Sequence, residues 1–334
     1  MELINLQTLW FILVALLFAG YSILDGFDLG VGMLLPFITE KKKEKDILIA
    51  SIGPVWDGNE VWLITGGGAL FAAFPQAYAT AFSGFYLAMM LVLFSLIFRA
   101  VSMEFRAHDT ARAGFWEASF SIGSFIASLL FGVALGNVVY GVPLGTDMEY
   151  AGNFFTLLRP VPLVFGVLGL CAILAQGGAY AALKSEGKVR ESAFNALEYI
   201  LPVYFVLSAV YMLVINIFVK NIVASPFFMA GAAMVFAGLT AAMAARVKAR
   251  EGLVFISTSA ALAGLWIITA AAHFPNLIKA SNSPVLNITI TNASTSQMTL
   301  TLMSWIALIG MPVVIGYTIF VYRIFKGKAK ADIY

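Results

Sequence analysis

Residues 7–35 read QTLWFILVALLFAGYSILDGFDLGVGMLL, an apolar run that nevertheless carries two carboxylates, Asp25 and Asp28. About 20 apolar residues cross the hydrocarbon core of a bilayer as one helix, so this run predicts a first transmembrane span. An ionisable side chain inside lipid costs roughly 2.5–3.5 kcal/mol on insertion scales, and such residues are functional candidates by default. Asp25 and Asp28 are three residues apart and share one helix face. Gly26 and Gly30 form a small-xxx-small pair that lets another backbone approach closely. Two acids on such a face can hold a proton, a cation or an arginine; the alternative is a purely structural ion pair.

The rest of the chain has the same character. Hydrophobic residues make up 61% of the 334 and charged residues 11%, with a mean hydropathy of +0.91. A soluble domain carries about 25% charged residues, so much of this surface must face lipid. Eight further apolar stretches lie near 56–74, 77–101, 115–140, 160–183, 199–219, 227–247, 253–273 and 300–324. The expectation is an all-α integral membrane protein of about nine transmembrane helices, with a tight helical hairpin at Pro75. Glu2 precedes the first run and no basic residue does, which predicts a retained first helix rather than a cleaved leader. The net charge of +2 gives no reason to expect a nucleic-acid partner.

Basic residues set the orientation. Lys41–Lys45, Arg99–Arg112, Lys184–Arg190, Arg246–Arg250 and Arg323–Lys330 hold 17 of the 20 Lys and Arg residues, leaving Arg159, Lys220 and Lys279 on the other side. The positive-inside bias then predicts the N-terminus outside and the C-terminus in the cytoplasm. The outer loop Phe274–Thr299 contains the sequons at Asn287 and Asn292, which a Ser/Thr/Asn-rich loop produces by chance.

Three further groups carry polarity into the spans. Asp57 and Glu60 open the second stretch between Trp56 and Trp62, and Gly66-Gly67-Gly68 follows, suggesting close packing or a bend. Helix-start capping and an interfacial aromatic belt are the bland alternative for the acids and tryptophans. Arg99 ends the third span and can snorkel or pair with Asp25, Asp28 or Asp57. Glu117 begins the fourth, near an interface. The second half offers only Gln176, Asn216 and His273; the first two are expected to make interhelical hydrogen bonds.

The chemistry-bearing residues are few. Cys171, the single cysteine, reads as a packed thiol and rules out an internal disulfide. The two histidines are His108 in an inner loop and His273 near the outer boundary, neither well placed for haem ligation. No phosphate-binding loop, nucleophile elbow or metalloprotease helix is present in the sequence. No cofactor is expected to be bound directly by the chain.

Several motifs together carry a resemblance: Asp25–Met33, Trp56–Thr65, Gly67–Pro75, Ala81–Tyr86, Phe98-Arg99, Gly132–Asn137, Gly152–Phe155 and Asn292–Leu300. The chain resembles subunit II of the cytochrome bd-type quinol oxidases, including the cyanide-insensitive branch, over nearly its whole length except residues 220–252.

The resemblance implies two four-helix bundles plus one additional helix: 1–140 with the intramembrane acids, 160–273, and 300–324. It implies a larger partner, subunit I, that carries haems b and d and oxidises quinol while dioxygen is reduced to water. It also leaves room for a small single-helix subunit and a structural quinone, and places the chain in a bacterial or archaeal plasma membrane. On this basis Asp25, Asp28, Asp57, Glu60, Arg99 and Glu117 are expected to line a proton route, with Glu117 standing where some relatives carry Asp. Trp62 and Trp56 are expected at a dioxygen entrance. The rival reading, a secondary transporter using the same acids for ion coupling, would place acids and broken helices in both halves. Here the acids lie in one half.

Overall fold

The computed structural model describes residues 5–219 and 221–330, so Glu2 and Lys220 lie outside the described residues. The chain is helical almost throughout: α1 (Leu6–Ile38), α2 (Lys42–Ile52), α3 (Trp56–Ala73), α4 (Pro75–Gly84), α5 (Tyr86–His108), α6 (Ala113–Tyr140), α7 (Pro160–Lys184), α8 (Gly187–Phe218), α9 (Pro226–Val247), α10 (Glu251–His273) and α11 (Gln297–Ile324). Eight of the described helices are long and apolar enough to cross a membrane. The 18-residue α3, which carries Asp57 and Glu60, is not among them.

Helix α1 is the axis. It packs against α3 and α6 on one side and α7 and α10 on the other, while α5 packs on α6, and α8 and α9 complete the second group. Every residue from Asp25 to Leu35 is buried, as expected for a helix surrounded by others. Backbone contact makes this possible. A Cβ on Gly30 would lie 2.3 Å from the Ile173 carbonyl oxygen and 2.7 Å from Gly177 Cα. The small residues foreseen on α1 therefore meet α7.

The structure revises the hairpin. The apolar stretch 77–101 is not one helix: it breaks at Phe85, leaving the short α4 between α3 and α5. Helix α3 consequently lies on α1, and α5 on α6. The triple glycine neither bends α3 nor packs as a unit. Gly66 meets the Phe18 ring, whereas Gly67 and Gly68 face open space.

The end of the molecule that carries the start of α1 is capped by loops 141–159 and 274–296. A short antiparallel pair, Asn276–Ile278 with Ile288–Thr289, seats Ile278, Ile288 and Ile290 against Trp10, Phe74 and Phe85. Asn287 and Asn292 shape this loop: Asn287 Oδ1 accepts from the Ala280 amide at 2.8 Å and Asn292 Oδ1 from the Thr289 amide at 2.7 Å. Lys279 donates to the Ala272 carbonyl at 2.9 Å, and its burial holds the ammonium below the ordinary lysine range.

Two polar residues of the second half part ways. Gln176 donates to the Ile23 carbonyl and Ser259, and accepts from Thr258, tying α7 to α1 and α10. Asn216 is exposed and makes no side-chain hydrogen bond among the described residues, contrary to its expected interhelical role. Cys171 is buried, with Sγ 3.7 Å from the Ile200 carbonyl oxygen. Helix α11 lies on the outside, with only 6% of its most apolar window buried.

Candidate functional site

The intramembrane polar residues of α1, α3 and α5 converge. Gly123 of α6 is the local reason that Arg99 reaches inward: a Cβ there would stand 2.6 Å from the Ser95 carbonyl oxygen and 3.3 Å from Arg99 N. Its absence brings α5 and α6 together, and the guanidinium extends to α1. Arg99 Nη1 donates to Asp25 Oδ2 at 2.8 Å and Nη2 to Asp25 Oδ1 at 2.7 Å, with both side chains fully buried. A bidentate Arg–carboxylate pair of this kind is the strong, geometrically specific form of ion pair. Glu60 Oε1 lies 3.2 Å from Arg99 Nη1 as a second counter-charge, with its side chain 22% exposed.

Asp28 sits one turn further along α1, also fully buried, and does not bond Arg99 directly. Its Oδ2 accepts from Asn59 Nδ2 at 2.7 Å. Asn59 in turn donates to the Leu24 carbonyl at 3.3 Å and accepts from the Tyr322 hydroxyl at 3.0 Å.

Among the described residues, Tyr21 OH, Asp28 Oδ1 and Arg99 Nε are buried without a hydrogen-bond partner, and Glu60 Oε1 has only its ionic contact with Arg99. Buried polar groups are nearly always satisfied, by protein or by ordered water. Such a concentration beside an ion pair is what a polar, water-holding cluster requires.

The remaining predicted residues fall at its edges or outside it. Asp57, in the first turn of α3, is exposed on the side that this chain leaves open. Trp62 packs its ring against Gly20 of α1, and Trp56 is partly buried against the main apolar cluster. Glu117 is not brought to the cluster. It is held at the end of the molecule formed by α2 and the α5–α6 turn, between Lys45 Nζ at 2.7 Å and Arg106 Nε at 3.0 Å, and Arg106 also reaches Asp46 at 2.7 Å.

Sequence reasoning missed Asn59, Tyr21 and Tyr322. Tyr21 precedes Asp25 by four residues, a helical spacing that would have exposed it. Asn59 stands between two flagged acids. Tyr322 is 263 residues from its partner and had no local signal.

Both histidines face backbone carbonyls and not the acid cluster. His273 Nε2 lies 2.6 Å from the Leu277 carbonyl oxygen, and His108 is exposed with Nδ1 3.0 Å from the Glu104 carbonyl oxygen.

Residues 6–325 match the family model described as cytochrome bd terminal oxidase subunit II, so the correspondence also runs through residues 220–252. The chain is 35% identical over 366 residues to cytochrome bd-I ubiquinol oxidase subunit 2 of Escherichia coli (strain K12), covering 98% of this chain and 96% of that one. It is 33% identical over 331 residues to cytochrome bd ubiquinol oxidase subunit 2 of Bacillus subtilis (strain 168), covering 97% of each. The fold is similar to a chain in the structure of bd oxidase from Geobacillus thermodenitrificans, with a TM-score of 0.77 at 16% identity, covering 96% of this chain and 98% of that one.

Proposed function

The chain belongs to the cytochrome bd terminal oxidase subunit II family, and from that premise we propose that its buried acids conduct protons to the oxygen-reducing centre of a larger partner. It is a component of a terminal quinol oxidase, a multi-pass protein of the bacterial inner membrane, and its place as subunit II implies a subunit I. Family membership removes the transporter alternative. The basic inner loops support an N-out, C-in arrangement across about nine spans.

One observation carries the proton reading: Tyr21 OH, Asp28 Oδ1 and Arg99 Nε, buried without hydrogen-bond partners among the described residues, gather around the Arg99–Asp25 pair. Water bound there would link carboxylates of decreasing exposure, from Asp57 on the open face of α3, through Glu60, to Asp25 and Asp28. Arg99 keeps the interior of this route from losing its charge balance, since an unpaired carboxylate in low dielectric would neutralise. Glu117, held between two cations, stands at the inner rim and anchors α2 to α6.

The haems b and d, carried by the partner, supply the redox chemistry; this chain's residues bind and move the proton and exclude charge from the apolar interior. Helix α3 leaves Asp57, Gly58, Ile64 and Gly68 uncovered, with no heavy atom within 4 Å of where Gly58 or Gly68 would carry a Cβ. Small residues on an open helix face suit close approach by a helix of the partner. Trp62, packed on Gly20 of α1, and Trp56 are our candidates for the dioxygen entrance. The reading also accommodates a structural quinone and a small single-helix subunit.

The test is Asp57→Asn in the assembled oxidase. Turnover should fall several-fold while the haem spectrum and subunit ratio are retained. Full turnover in a fully assembled complex would leave the acids with a structural role alone.

A further inference from the structure

Helix α11 is tied to the acid cluster by one polar contact, and that contact has a direction. Asn59 Nδ2 faces two acceptors, the Leu24 carbonyl oxygen at 3.3 Å and Asp28 Oδ2 at 2.7 Å. The opposite amide orientation would set Asn59 Oδ1 against a backbone oxygen that can only accept, so the donor end must point to Asp28. Asn59 Oδ1 therefore faces Tyr322, whose hydroxyl proton is the donor that satisfies it at 3.0 Å. The sequence Tyr322 to Asn59 to Asp28 saturates one carboxylate oxygen and leaves the other, Oδ1, without a partner.

We infer that Tyr322 is a positioning residue for Asp28: by donating to Asn59 Oδ1 it locks the amide that occupies Asp28 Oδ2, so that a proton is taken up and released on Asp28 Oδ1 alone. The inference rests on the proton-route reading above. The proton arrives on Oδ1 from water in the cluster and departs to water; Asn59 and Tyr322 exchange none. The other polar hold on α11 from α1 is at its far end, where Trp10 Nε1 faces the Leu300 carbonyl oxygen at 3.2 Å and Ser304 Oγ at 3.1 Å. Its placement thus reaches Asp28 through a single hydroxyl.

The experiment uses Tyr322→Phe in the assembled two-subunit oxidase, which removes the hydroxyl and keeps the ring. The haem spectrum and subunit ratio should be unchanged. Turnover should fall roughly 2- to 10-fold, the span that one net hydrogen bond commands, and the solvent deuterium isotope effect on turnover should rise. In an Asn59→Leu background, Tyr322→Phe should have no further effect, because the two residues act as one unit. If Tyr322→Phe lowers the assembled yield, the test passes to infrared difference spectra of the fraction that assembles. There the carboxyl band abolished by Asp28→Asn should be displaced in Tyr322→Phe. Unchanged rate, isotope effect and band in Tyr322→Phe, with Asp28→Asn impaired, would overturn the positioning role alone. Wild-type turnover in both Asp28→Asn and Asp57→Asn would instead overturn the proton route itself.

Discussion

Arg99 grips both carboxylate oxygens of Asp25, at 2.8 and 2.7 Å, in a place where neither side chain meets solvent. Removing one partner strands a buried charge, which costs about 3–5 kcal/mol, whereas replacing both with apolar residues is far less costly. Arg99→Leu should therefore collapse the yield of assembled complex, and Asp25→Leu combined with Arg99→Leu should recover much of it without restoring turnover. Arg99→Lys should recover little, because an ammonium cannot hold both oxygens. Thermal melting in detergent checks the order of the three.

The α1–α7 crossing makes a second prediction. A Cβ on Gly177 would come within 2.3–2.6 Å of Gly30 C, Gly30 Cα and Val31 N, all backbone atoms with nowhere to go. Gly177→Ala should destabilise by the upper end of the roughly 1–3 kcal/mol typical of overpacking. The neighbouring Gly178→Ala meets only side-chain atoms, Leu197 Cδ2 at 3.1 Å being the nearest, and should be nearly silent. Equal melting temperatures for the two variants would contradict this packing.

Glu117→Gln separates the inner rim from the cluster. It removes the charge facing partly exposed Lys45 and buried Arg106, but Gln can still accept a hydrogen bond and Arg106 keeps Asp46, so the loss should be about 1 kcal/mol and its Lys45 part should shrink in high salt. Turnover should stay within about twofold of wild type, consistent with so small an energetic change. A several-fold loss of turnover without loss of stability would move Glu117 into the route.

The start of α2 should respond to acid. Glu44 accepts from the Glu40 and Lys41 amides at 2.8 and 3.2 Å, and these bonds hold its carboxyl below the ordinary glutamate range. A depressed folded-state value means the stabilisation is present above the unfolded value of about 4.3 and is lost as pH falls through the folded one. Protection of the Glu40 and Lys41 amides, relative to their intrinsic exchange rates, should fall over that window, and Glu44→Gln should show less protection at neutral pH and no such fall in acid.

How much of this was legible follows from the range of the interactions. The acids of α1 and α3 and the arginine of α5 announce themselves because charge inside an apolar run is locally anomalous. Gly26 and Gly30 are legible for the same reason: spacing along one helix is a local property. The break at Phe85 is not, since Ser83-Gly84 is a weak signal inside a long run, and what ends the helix is the packing of this turn against the 141–159 loop, where Gly84 meets Tyr150. Asn216 illustrates the opposite failure, a polar residue in a span that faces outward rather than to a neighbour. The bond between Tyr322 and Asn59 joins residues 263 apart, and neither residue type is unusual where it stands.

That separation also has a meaning in time. Asp25, Asp28, Asn59 and Arg99 all leave the ribosome in the first third of the chain, while the hydroxyl that orients the Asn59 amide is made 263 residues later. During synthesis the acids are therefore in the membrane well before Tyr322 can reach Asn59. A nascent chain halted anywhere between α5 and α11 would hold the charges of the finished cluster without the hydroxyl that caps the Asn59 amide.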